Sequence, residues 1–330
     1  MIRLTVRTAS ASLALLAALL MTAHQASAQQ QVAPAPSPEV AAPTPSAAPV
    51  FPKPDPANFT ATSPTKEEVN AFLQASWGYD ENRIWQVQAI LKTPAPGVSK
   101  VVIFVGDKTG KQKPSAIQFF ATPDGKHIIA GDDVLSFSDH PFTAARTMLE
   151  ERADGPYRNA ESKDLELVEF ADFQCPHCKE AQANMDKLVA DFPKARIVFQ
   201  FFPLESIHPE ALQTAEYGEC VAKQGGSGGF FQFASTVFDG QDGLTTPDGA
   251  TLTLNSAVTK AGLDPAKIAA CANSPATKAD VDASVKLAKD LGLNEVPTLM
   301  VNGRPVPPTI PYDMLKKIIE FQAKLDGVTL

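Results

Sequence analysis

Val168-Glu169-Phe170-Ala171-Asp172-Phe173-Gln174-Cys175-Pro176-His177-Cys178 is the stretch on which the fold turns. An apolar run, Leu165 to Ala171, leads into it, and a helical pattern extends from Cys175 to about Asp191. A second apolar run, Arg196 to Phe202, follows. Strand, helix and strand of these lengths make a βαβ unit, because the helix is long enough to carry the chain across to a parallel neighbour. The expected class is therefore α/β.

The two cysteines fall where the first strand ends and the helix begins. The unpaired N–H groups and the macrodipole of a helix start favour an anion, so a thiolate at Cys175 is stabilised over its thiol. Pro176 suits the first helical position, where its missing N–H has no intrahelical use. His177 adds positive charge or a hydrogen bond. On this reading Cys175 is an exposed nucleophile and leaving group, Cys178 is the resolving thiol, and no metal or other cofactor is needed. Two other readings compete: a permanent structural bridge, and half of a zinc site completed by Cys220, Cys271 or a histidine. The other two cysteines stand far apart, unlike the close second pair of a zinc ribbon.

Downstream, a mostly helical stretch from about His208 to Leu291 is broken by Gly225-Gly226-Ser227-Gly228-Gly229 and by Asp239 to Pro247. A short strand is expected at Thr298 to Val301, then a turn at Asn302-Gly303 and an amphipathic helix from about Tyr312 to Leu325. His208 reads as a helix-start residue.

Upstream, residues 63–155 read as a small α+β domain. Thr65 and Glu68 have capping-box spacing ahead of Val69, Phe72 and Leu73. Strands are expected at Ile84 to Leu91, Val101 to Val105, Ile117 to Ala121 and His127 to Ala130, and a helix from about Pro141 to Arg152. The polar stretch Asp154 to Asp164 reads as a linker. Residues 29–62, rich in Ala, Pro, Gln and Ser, form an extended linker that cannot bury a core. Residues 1–28 read as a signal peptide: Arg3 and Arg7, the apolar run Leu13 to Met21, then Ala26-Ser27-Ala28 as cleavage signature. The mature chain is thus expected to begin near Gln29, exported to the periplasm or cell envelope and soluble there.

The chain carries 29 Lys and Arg against 37 Asp and Glu. This acidic balance argues against nucleic acid or anionic lipid as partner. Four cysteines in 330 residues exclude a disulfide-dense scaffold.

The stretch from Val168 to Cys178 resembles the active-site region of the DsbA family of envelope disulfide oxidoreductases. Glu295-Val296-Pro297-Thr298 with Val301-Asn302-Gly303 is similar to that family's cis-proline loop, and the intervening helices resemble its insertion. The resemblance covers about Leu165 to Leu325. It implies a thioredoxin-like fold over residues 156–330, with a helical insertion at about 205–291. It also implies a cis Pro297 facing the cysteines, with Val296 just before it, where the alternative is a trans proline opening a strand. Glu169 matches the family's buried acid, the alternative being a partly exposed strand carboxylate. Cys220 and Cys271 match a structural bridge, the alternative being two separate thiols. The implied partners are exported proteins with free or mispaired cysteines and a membrane-bound redox partner.

Pro123-Asp124-Gly125-Lys126-His127-Ile128-Ile129-Ala130-Gly131 resembles the end of the dimerisation domain of DsbC and DsbG isomerases. The upstream domain therefore has two readings: a homodimer interface, or a docking or spacer module of a monomer. The activity likewise has three: a dithiol oxidase, a dimeric isomerase or reductase, and a non-catalytic binding adaptor. A histidine inside the cysteine pair and a valine before the proline resemble oxidases.

Overall fold

Thr65 opens the first helix by the reciprocal capping that its spacing to Glu68 allows. The computed structural model describes residues 51–110, 113–131 and 133–330; the expected signal peptide and linker residues 29–50 lie outside the described residues. The Thr65 hydroxyl accepts the Glu68 N–H at 3.1 Å and the Glu68 carboxylate accepts the Thr65 N–H at 2.8 Å, so two donors that a helix start leaves open are satisfied. The helix α1 (Lys66–Trp77) buries Val69, Phe72 and Leu73.

These side chains pack on one face of an antiparallel sheet of β1 (Arg83–Lys92), β2 (Ser99–Asp107), β3 (Ser115–Ala121), β4 (His127–Ala130) and β5 (Asp133–Ser136), paired in chain order. The sequence reading lacks β5, a four-residue edge strand whose Val134 and Leu135 are both exposed, so that no alternation of burial marks it. Residues at the end of the expected linker run along β1: Phe59 bridges to Ile90, and the Gln88 side-chain amide donates to the Pro52 carbonyl at 3.0 Å.

After α2 (Thr143–Arg152), the stretch expected as a polar linker contains β6 (Tyr157–Asn159), which adds to a second sheet. That sheet has the order β10-β9-β7-β8-β6. Its centre is β7 (Glu166–Ala171), parallel to β8 (Arg196–Phe201) across α3 (Pro176–Asp191). On the other side β7 runs antiparallel to β9 (Thr298–Val301), which pairs with β10 (Arg304–Val306). All six residues of β7 are buried because both faces of the strand are covered. Leu167 joins Met185 and Leu188 of α3 and Leu315 and Ile319 of α8 (Tyr312–Leu325), while Val168 and Phe170 join Leu149 of α2 and Leu287 of the seventh helix.

Between β8 and β9 lie α4 (Ala211–Asp239), α5 (Pro247–Lys260), α6 (Pro265–Ala272) and α7 (Pro275–Asp290). The glycine run expected to break the helices produces only a kink inside α4, where Gly226 takes φ 64°. The break expected at 239–247 is present as a short 3-10 turn, Gln241–Thr245.

Arg304 of β10 ties the two sheets' units together. It is 4% exposed and donates from Nε to Gln322 of α8 at 2.8 Å and from its guanidinium to the carbonyls of Ala75 and Ser76. Those carbonyls belong to the last turn of α1, where the helix has no further N–H to offer them.

Candidate active site

The parallel strand β7 delivers the chain to a tight turn, Asp172 to Cys175, closed by the Cys175 N–H donating to the Asp172 carbonyl at 3.1 Å. Cys175 is the N-cap of α3, with extended backbone (φ −76°, ψ 121°), and Pro176 occupies the first helical turn. No side-chain oxygen caps this helix. The Cys175 thiol is nonetheless lowered from 9.0 to about 6, first by the hydrogen bond from the Cys178 thiol and then, against the opposing effect of burial, by the backbone N–H groups of Cys178 and His177.

Cys178, one turn into α3, has no exposed surface. Burial, and the hydrogen bond it donates to Cys175, push its own pKa far upward. The two sulfurs are thus unequal: charge rests on Cys175 and the proton on Cys178. Cys175 itself is only 6% exposed, which corrects the expected open position. Its Sγ lies 3.8 Å from the Val296 carbonyl oxygen, and the Gln241 side chain donates to its backbone carbonyl at 2.9 Å, so the proline loop and the helical insertion both close on it.

His177 is turned outward. Its ring is 71% exposed and its Nδ1 lies 2.9 Å from Glu180, which raises the imidazole pKa. The group of His177 that bonds the Cys175 sulfur is its backbone N–H. The Val296–Pro297 peptide bond is cis. Glu169 is buried (2% exposed) in β7, and burial raises its carboxyl to about 7 against the opposing hydrogen bond from Gln182. The Gln182 amide donates to Glu169 Oε1 at 2.8 Å and to the Cys178 carbonyl at 3.1 Å, linking the acid to the main chain of the resolving cysteine.

Cys220 and Cys271 are joined by a disulfide with Cα atoms 6.0 Å apart, tying α4 to α6 within the insertion. Among the described residues no cluster of three or more His, Cys, Asp or Glu has a metal-binding arrangement.

Sequence reasoning missed four residues here. Gln174 donates to the Leu244 carbonyl at 2.8 Å and accepts the Glu210 N–H at 2.8 Å. Gln241 holds the carbonyls of Phe173 and Cys175. Gln182 is described above, and Asp172 accepts the ring N–H of His208. Only Gln174 and Asp172 lie inside the cysteine motif; the position of Gln241 depends on how the insertion packs, for which the sequence offers no local signal.

Glu169 yields a pH-dependent prediction. Its folded pKa is raised, so the stability associated with its neutral form is fully present below about 4.5 and lost as pH rises through about 7. Above that range, ionising the buried carboxyl costs up to about 3 kcal/mol. Glu169→Gln should therefore raise the urea midpoint of the reduced protein at pH 8 and leave it nearly unchanged at pH 4; equal shifts at both values contradict this assignment.

The sequence model of a family described as Thioredoxin matches residues 156–321. Among curated proteins, the Na(+)/H(+) antiporter NhaA 1 of Mycolicibacterium vanbaalenii is 34% identical over 142 residues, 42% of this chain and 22% of that protein. The chain thus spans about a fifth of that relative's length. Among solved structures, a thioredoxin-like oxidoreductase from Silicibacter pomeroyi DSS-3 is similar at 22% identity and a TM-score of 0.47, over 54% of this chain and 98% of that one. The thiol-disulfide exchange protein alpha-DsbA2 from Wolbachia pipientis is similar at 19% identity and a TM-score of 0.46, over 54% and 95% of the two chains.

Proposed function

The chain belongs to the thioredoxin family, and from that premise we propose that it is an exported thiol-disulfide oxidoreductase working as a dithiol oxidase through Cys175 and Cys178. The elements β7, α3, β8, β9, β10 and α8 make up a thioredoxin-like fold, and α4 to α7 are a helical insertion into it. The observation that carries the reading is the inequality of the two sulfurs: a thiolate-favouring Cys175 at the helix start over a Cys178 with no exposed surface.

In the oxidising direction a substrate thiolate attacks the Cys175 sulfur of the disulfide form. The new bond joins substrate to Cys175, the Cys175–Cys178 bond breaks, and the pair of electrons leaves with Cys178, which takes up a proton. Glu169, neutral below about pH 7 and linked through Gln182 to the Cys178 main chain, is the buried acid that supplies it. A second substrate thiolate then attacks the substrate sulfur of the mixed disulfide, and Cys175 departs as thiolate. Substrate is oxidised by two electrons and the pair is left reduced, to be restored by a membrane-bound redox partner. Each unit by which a leaving thiol's pKa falls below the working pH stabilises the reduced pair by about 1.4 kcal/mol, or about 30 mV for two electrons. The placement of charge on Cys175 therefore favours giving disulfides away. Val296, whose carbonyl oxygen lies 3.8 Å from the Cys175 sulfur, and the cis Pro297 that follows it are the surface on which a substrate strand would lie.

A second reading, a dimeric isomerase, is favoured by one observation. The edge strand β5 exposes Val134 (64%) and Leu135 (44%), while residues 52–61 cover the opposite edge at β1. An uncovered apolar edge suits pairing with a second copy. Export rests on the expected signal peptide; among the described residues, no helix is long and apolar enough to cross a membrane.

The deciding assay compares oxidation of a fully reduced test protein with unscrambling of a wrongly bridged one, using the mature chain. Faster oxidation is expected. Faster unscrambling by a dimer would replace the oxidase assignment with the isomerase one.

A further inference from the structure

Asp172 touches both cysteines through its main chain and a distant loop through its side chain. Its carbonyl accepts the Cys175 N–H at 3.1 Å, and its own N–H points at the Cys178 sulfur at 3.4 Å. The carboxylate has no exposed surface. Oδ1 accepts the Gln174 N–H at 2.8 Å; Oδ2 accepts the Leu204 N–H at 2.9 Å and the His208 Nδ1–H at 2.8 Å. His208, on the loop after β8, reaches in with 15% of its side chain exposed.

A carboxylate fully removed from water must be balanced by hydrogen bonds or by charge. Here two backbone N–H groups and one imidazole do so, and the imidazole is the sole side chain among them. The same negative charge opposes formation of the Cys175 thiolate. How well His208 engages Asp172 therefore bears on the reactive sulfur, although His208 makes no contact with either cysteine in the hydrogen-bond pattern of the site. A charge-assisted bond of this kind is roughly twice as strong as a neutral one, so the coupling is large enough to measure.

We propose that Asp172 and His208 are a positioning couple for the exchange reaction: they fix the turn from Asp172 to Cys175, and the His208 donor offsets the buried charge of Asp172 in that turn, setting how oxidising the cysteine pair is. This rests on the reading of Cys175 and Cys178 as a redox pair. His208 is thereby given a role beyond that of a residue near the start of α4.

The test equilibrates the full mature chain with graded mixtures of reduced and oxidised glutathione and measures the reduced fraction of the 175–178 pair by alkylation and mass. His208→Ala should move the equilibrium about three- to tenfold toward the disulfide form, about 15–30 mV. His208→Asn, whose amide nitrogen can take the place of Nδ1, should stay within about twofold of wild type. Asp172→Asn should move the equilibrium the opposite way and abolish the effect of a superimposed His208→Ala. If that variant does not fold, the Ala and Asn variants of His208 still decide. An unchanged equilibrium in His208→Ala, or equal shifts in the Ala and Asn variants, overturns the couple and leaves the redox reading intact. A wild-type pair that fails to exchange with glutathione overturns the redox reading itself.

Discussion

Cys178→Ser is expected to arrest exchange halfway, accumulating a covalent adduct between Cys175 and any protein disulfide offered to the reduced enzyme, whereas Cys175→Ser forms no adduct and loses activity by at least about a thousandfold. The difference follows from the inequality of the sulfurs. Cys175 sits at the helix start, accepts hydrogen bonds from Cys178 and from two backbone N–H groups, and is held as a thiolate near neutral pH. It attacks a substrate disulfide, one substrate sulfur leaves as thiolate, and a mixed disulfide forms. Only the Cys178 sulfur, one helical turn on, is placed to displace the substrate from Cys175. A serine hydroxyl in its place is too weak a nucleophile to do so, and the adduct persists. Serine at 175 has no thiolate to offer, and Cys178, buried and with its pKa pushed upward, cannot substitute. Non-reducing electrophoresis and intact mass after incubation with a disulfide-containing protein distinguish the two variants. Adducts in equal yield from both would mean that the sulfurs are interchangeable.

The second large effect is on stability. Replacing Cys220 and Cys271 together by Ala should lower unfolding stability by about 4 kcal/mol, the loop-closure contribution of a bridge spanning 51 residues. Cys220 is fully buried, and it packs in the same apolar cluster as Phe173, Cys175 and Cys178. The bridge joins α4 to α6, and α4 leads directly into the turn that carries Gln241. Loosening the insertion therefore releases the amide that holds the Cys175 carbonyl, and exchange should slow along with the fall in stability. Urea unfolding of the double variant measures the first effect and glutathione exchange the second. A loss below about 1 kcal/mol would show that the insertion is held by packing alone.

The central βαβ unit was legible because β7 and β8 are continuous apolar runs and α3 is long enough to span between them. The short strands β5, β6 and β10 were not, since none is an apolar run bounded by a clear turn signal and their pairing depends on neighbours brought close by the rest of the chain. The glycine run 225–229 misled because composition cannot say which glycine uses its freedom: Gly226 alone among them takes positive φ, and the helix continues on both sides. At the site, the cysteines, Pro297 and Glu169 could be named from sequence. Val296 could be named with them, since the likeness of its loop placed it next to Pro297; the Gln241 part of the cover over Cys175 could not, because it comes from the packing of the insertion, 66 residues away in sequence. His177 shows the complementary limit: its position in the motif was legible, but its ring turns to Glu180 in the next turn of the helix and leaves the sulfur to backbone N–H groups. Asp172 lay in plain view within the motif, yet its partner His208 stands 36 residues away.

Whether the helix start holds Cys175 as a thiolate is read from an absorbance titration of the reduced mature protein. Cys220 and Cys271 are bridged and silent, and Cys178 stays protonated over the range, so the thiolate signal reports Cys175 alone. The expected midpoint is near 6. A midpoint at the ordinary thiol value of about 8.5 would contradict it.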